Sequence, residues 1–112
     1  MAGQPRLLNV ALAPSAIQSL HEIWQWNAEQ YGVERADKYA AFLSAQTNLL
    51  ASKYILGQHV PSFPSLRYTI MRRRRSGHGH LAVYRVESDD VVVLNYYHTA
   101  QDWRTRLALD LP

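Results

Sequence analysis

No cysteine occurs among the 112 residues, which excludes disulfides, thiolate metal sites and a cysteine nucleophile, and fits a reducing compartment. No apolar run approaches the ~18–20 residues of a membrane span, and the N-terminal MAGQPRLLNVALAP lacks the regions of a signal peptide. A cytoplasmic protein without a membrane partner is therefore expected. Glycine-rich phosphate loops, nucleophile elbows and paired-histidine helices are also missing, so neither a cofactor nor a metal is expected. The most informative absence is of one sign of charge: between Asp37 and Glu87 no acidic residue occurs.

That acid-free stretch holds Lys38, Lys53, Arg67, Arg72, Arg73, Arg74, Arg75 and Arg85. The formal net charge is only +3, so the asymmetry lies in the distribution. A cationic block flanked by acids favours an anionic partner, either nucleic acid or an acidic protein segment; the alternative is a solvated basic surface. Hydrophobic residues at 47% and charged residues at 19% suit a folded chain, and the length suits one domain over 1–112.

Leu8, Val10 and Leu12 alternate as in a short strand. Pro14 and Ser15 then open a helix in which Ile17, Leu20, Trp24, Ala28 and Tyr31 form one face, ended by Gly32. A second helix is expected from about Glu34 to Leu56, with Ala36, Tyr39, Ala40, Leu43, Thr47, Leu50 and Tyr54 as its inner stripe. So short a connection makes the two helices an antiparallel hairpin. Residues 57–65, GQHVPSFPS, read as a loop. Three strands follow, from Leu66 to about Arg74, His80 to Val86 and Val91 to Tyr97, then a helix from Ala100 to Leu109. The order β-α-α-β-β-β(-α) predicts an α+β fold, an antiparallel sheet with an N-terminal helical hairpin packed on one face.

Period two in the first of those strands would send Arg72 and Arg74 to one face and Arg73 and Arg75 to the other. All four guanidiniums would reach solvent on a protruding hairpin tipped by Ser76-Gly77, where a phosphate backbone or a carboxylate-rich helix could meet several together. His78 and His80 alone make a poor zinc pair. His98 closes the last strand, and Asp102 follows at one helical turn; if the helix begins near Thr99, the carboxylate would orient the imidazole for acid–base chemistry or simply tie the helix to the sheet. Trp103, Trp24 and Trp26 read as core and interface material, with Trp26 off the main stripe.

The most specific stretch is HLAVYRVESDDVVVLNYYHTAQDWRTRL, residues 80–107: histidine, apolar residues, Tyr-Arg, a turn, an apolar strand, then His98, Asp102 and Leu107. Together with VALAPSAIQSLHEIWQW and YGVERADKYAAFL, it resembles the RelE/ParE superfamily of bacterial toxins, and most closely the ParE-like branch of plasmid stabilisation proteins. The resemblance implies the toxin of a type II toxin–antitoxin pair, neutralised by a cognate acidic, ParD-like antitoxin whose C-terminal segment wraps around it. For the ParE branch it implies inhibition of DNA gyrase by binding, without an active site of its own. For the RelE branch it implies an endoribonuclease acting on messenger RNA in the ribosome; a non-toxic member that retains antitoxin binding is a third reading.

Cleavage of RNA by its own 2′-hydroxyl needs a base, an acid and cations on the phosphate. The ribonuclease members place a glutamate or lysines, an arginine and a tyrosine or histidine on successive strands. Here Leu81 stands where the third-strand arginine is expected, and only Arg75, Arg85 and His98 could form a partial set, without a base. The gyrase reading is accordingly preferred, with Arg72, Arg73, Arg74, Arg75, Arg85, His98 and Trp103 as the expected antitoxin- or target-binding residues. Ser19 stands where many members carry an aspartate.

Overall fold

In the computed structural model, which describes residues 6–75 and 77–111, strand β1 (Asn9–Leu12) leads into helix α1 (Pro14–Tyr31). Pro14 suits the first turn of that helix because its missing N–H would lack an intrahelical partner there. The helix ends at Gly32, whose φ of 94° is strained for any side chain. That one residue is the whole connection to α2 (Val33–Asn48), so the helices fold back as the expected hairpin. A short α3 (Leu50–Lys53) and a 3₁₀ turn (Tyr54–Leu56) complete the second helical run. Ala36, Leu43, Thr47 and Leu50 of the expected inner stripe are buried.

The segment read as a loop contains a further strand, β2 (Gln58–Val60), which a two-residue turn at Pro61-Ser62 joins to β3 (Phe63–Met71). Pro61 in the turn and Pro64 early in β3 hid this edge hairpin from a pattern reading, although proline is tolerated at strand edges. Strands β4 (His80–Glu87) and β5 (Asp90–His98) follow, then α4 (Trp103–Asp110). The sheet order is β1-β5-β4-β3-β2. The three expected strands β3, β4 and β5 are antiparallel neighbours as expected and β2 adds to them in the same sense, whereas β1 departs from the expected antiparallel sheet and runs parallel to β5 at its edge.

Alternation along β4 divides the core. Ala82 and Tyr84 face the helical hairpin with Val91, Val93, Leu43 and Leu50. Leu81 and Val83 face the other way, with Tyr97 and Leu107, under α4. The sheet is thus covered on both faces, which explains why all four of Leu81 to Tyr84 are buried. An extra residue in β5, where Val83 pairs Asn95 but Tyr84 pairs Val93, shifts the register by one beyond that point. Its consequence is that His80 lies opposite His98.

Candidate functional site

The arginine run does not lie in a strand. β3 ends at Met71, which pairs His80, and Arg72 to Arg75 form the exposed start of the connection to β4. Period-two sorting of the four side chains therefore does not apply. Neither face could bury so many guanidiniums, and Arg72 Nη1 instead donates to the Arg75 carbonyl at 3.3 Å, turning the chain locally. Solvent reaches all four, as expected; Ser76 of the expected tip lies outside the described residues. The connection re-enters the sheet through Gly79, where a Cβ would stand 2.4 Å from the Met71 carbonyl oxygen. Its N–H donates to Thr99 Oγ1 and its carbonyl accepts from the Thr99 N–H, both at 3.0 Å. These bonds set His78 and His80 on either side of a fixed point.

Both rings converge on His98. The His80 and His98 ring centres are 5.1 Å apart and those of His78 and His98 5.6 Å. Tyr39 of α2 reaches the same cluster, with its hydroxyl 2.6 Å from His80 Nδ1. Burial, reinforced by the neighbouring His98, lowers the His80 pKa to about 4. Burial raises Tyr39 to about 12 against the opposing pull of Arg73. At neutral pH the tyrosine is thus the donor and His80 the acceptor. His98 is lowered by burial and then by His78. Its Nδ1 accepts the Ala100 N–H at 3.1 Å, which leaves the proton of the neutral ring on Nε2.

The expected pairing of His98 with Asp102 is not formed. Helix α4 begins at Trp103, not near Thr99, and residues 99–101 turn instead, with the Gln101 N–H on the His98 carbonyl at 3.0 Å. The Asp102 carboxylate accepts from Thr105 Oγ1 at 2.7 Å. Nor does the partial ribonuclease set assemble. Arg85 pairs Glu87 at 2.7 Å on the α4 side, opposite Val92, roughly 20 Å of strand from His98. Trp103 packs on Tyr68, with ring centres 4.7 Å apart, beside the α4-side core.

A groove of about 1230 Å³ opens from the histidine cluster, with Arg73, His78 and His98 at one part of its wall and Trp26, Tyr31 and Arg35 at another. Its acids are engaged: Glu22 accepts from Gln18 at 3.2 Å, and Asp110 from the Tyr97 hydroxyl at 2.7 Å. Ser19 meets Asn95 through a side-chain hydrogen bond, tying α1 to β5 at the groove floor. Among the described residues no carboxylate hydrogen-bonds to His78, His80 or His98, so the cluster lacks an imidazole–carboxylate acid–base pair, while Arg73 in the same groove wall offers a cation to an anion. Among the described residues no group of three or more His, Cys, Asp or Glu side chains is placed to hold a metal ion.

The model of the ParE toxin of the type II toxin–antitoxin system, parDE, matches residues 10–103. The chain belongs to the ParE toxin family. No curated protein matches it by sequence. A structure described as the chromosomal ParDE toxin–antitoxin system from P. aeruginosa superposes with a TM-score of 0.68 at 20% identity, covering 80% of this chain and 94% of that one. A conserved hypothetical protein from Helicobacter pylori superposes with a TM-score of 0.54 at 12% identity, covering 85% and 98%. At such identities the two structures support the fold, α+β with a helical hairpin on a mostly antiparallel sheet. The matched span runs from β1 to the first residue of α4, and so includes the arginine run and the three clustered histidines, His78, His80 and His98.

Tyr39 was missed by sequence reasoning as a site residue, because its spacing placed it on the buried stripe of α2. It is there, and its hydroxyl end reaches the site. Trp26, Tyr31 and Arg35 gave one signal only, that Trp26 falls off the apolar stripe of α1.

Proposed function

We propose that this type II toxin acts in the cytoplasm by binding and inhibiting DNA gyrase, and that a cognate acidic antitoxin neutralises it. The observation that carries the reading, beside family membership, is that the basic groups do not converge as a nuclease would need. His98 lies with His78 and His80, whereas Arg85 stands at the far end of β4 in an ion pair. Arg72, Arg73, Arg74 and Arg75 present four solvent-exposed cations beside His98, a surface suited to carboxylates of the antitoxin or the target. Arg85 keeps 38% of its side chain exposed but is already satisfied by Glu87, so it contributes less to binding. Trp103, half-buried on Tyr68, belongs to the packing under α4 and contributes less to binding. No helix among the described residues is long and apolar enough to cross a membrane.

A supercoiling assay with purified gyrase tests this reading. Added toxin is expected to stop supercoiling and to accumulate cleaved DNA, and premixing with the antitoxin to restore activity. Unaffected supercoiling combined with defined cuts in ribosome-bound mRNA would sink it in favour of the ribonuclease reading.

A further inference from the structure

We propose that the groove seats a single strand of nucleic acid directly, with a phosphate against Arg73, His78 and His98 and a base stacked at Trp26, Tyr31 and Arg35. The first part of the argument is charge. Neither Arg73 nor Arg35 forms an ion pair among the described residues, and the groove wall holds three arginines, with Arg106, against the two carboxylates of Glu22 and Asp110. The neutral ring of His98 offers an Nε2–H donor, since its Nδ1 accepts from Ala100. Cations and donors thus come from different elements along one groove, as a chain of phosphates requires.

The second part is the aromatic end. Trp26 and Tyr31 are 54% and 53% exposed and stand together in the groove wall. Their rings meet edge to face at 5.9 Å, and the Arg35 guanidinium lies 4.7 Å over the Tyr31 ring. Exposed aromatic faces with a stacked arginine form a platform for an unpaired base, whose own faces a duplex keeps covered. A carboxylate-rich peptide would use the cations but would have no use for the stacking platform. Stacking and phosphate contact also read no 2′-hydroxyl, so DNA and RNA strands are expected to bind alike.

Fluorescence anisotropy with a labelled mixed-sequence single strand tests the proposal on the free toxin without gyrase, so its outcome is separable from that of the supercoiling assay. Saturable binding is expected, weakening about sevenfold between ~50 and ~200 mM salt for about two phosphate contacts, one each at Arg73 and Arg35. Trp26→Ala is expected to lose about tenfold, as is Arg73→Ala, with unchanged circular dichroism in both because the side chains are exposed. In the unaltered protein the imidazole NMR signals of His78 and His98 should shift on adding the strand. The proposal is overturned by absent binding at low salt, by equal affinity for the duplex, by unmoved imidazole signals at saturation, by indifference to Trp26→Ala, or by a polyglutamate peptide that binds as tightly.

Discussion

The two ends of the β4–β5 hairpin are built from the same ladder and differ in how far their charges are paired. At the turn end, Glu87 pairs Asp90 in register, Ser88 takes a φ of 50°, and two of the acids are answered locally: Glu87 by Arg85, Asp89 by Arg6. At the other end His80 pairs His98, His78 joins them, and Arg72 to Arg75 stand exposed. About eight residues of strand, roughly 25 Å, separate the two. Neutralised charge at the turn leaves little field, whereas arginines that form no ion pair among the described residues project one beside a groove. A charge composition near balance therefore hides a molecule with one quiet end and one end made for binding.

The comparison breaks most completely if the shared ladder fails. Tyr84 is fully buried at its centre, and its hydroxyl donates to the Tyr54 carbonyl at 2.7 Å. Tyr84→Ala is expected to cost about 4 kcal/mol in urea unfolding, and to impair both ends together. A smaller effect separates the ends by pH. Because the folded-state pKa of His80 lies at about 4, below its ordinary 6.5, the unfolded chain takes up a proton that the native one refuses. Stability should be full above pH ~6.5, fall on acidification, and level off below pH ~4. The difference between neutral pH and pH ~5 is expected to be roughly 2 kcal/mol in unfolding free energy, and His80→Asn should flatten the profile in that window. A profile of the same slope in the variant would remove His80 from the account.

Alanine at Arg72, Arg73, Arg74 and Arg75 together is expected to weaken antitoxin or target binding by about tenfold or more, equivalent to ~1.4 kcal/mol, while changing unfolding by less than ~0.5 kcal/mol. Calorimetric titration at two salt concentrations would show it, and unchanged affinity at both would count against the binding surface. The smallest effect belongs to the turn end. Arg6→Ala removes an ion pair in which both side chains are well exposed, 65% and 69%, so under ~0.5 kcal/mol should be lost and growth arrest should be unaltered.

Much of this fold was legible from periodicity: the helical hairpin, its buried stripe and four of the five strands follow from spacings of three, four and two. The short strand at Gln58–Val60 was not, because three residues between glycine and proline carry too little pattern. The site was legible as composition but not as geometry. Counting back from the turn sets His80 opposite Tyr97; the extra residue in β5 moves it to His98 and thereby assembles the histidine cluster. A bulge of that kind arises from packing on two covered faces, which a linear reading does not see. The same limit misplaced the arginines, since a strand ends where its partner ends, and Gly79 ends β4's pairing at Met71.

The central claim is that the histidine end, not the turn end, meets the target. It is tested most directly by gyrase supercoiling inhibition measured side by side for the unaltered toxin, for Arg73→Glu combined with His98→Ala, and for Arg6→Ala. The account predicts equal inhibition by the unaltered toxin and Arg6→Ala, and inhibition reduced at least about tenfold for the histidine-end variant in its folded state. Full inhibition by that variant would contradict it.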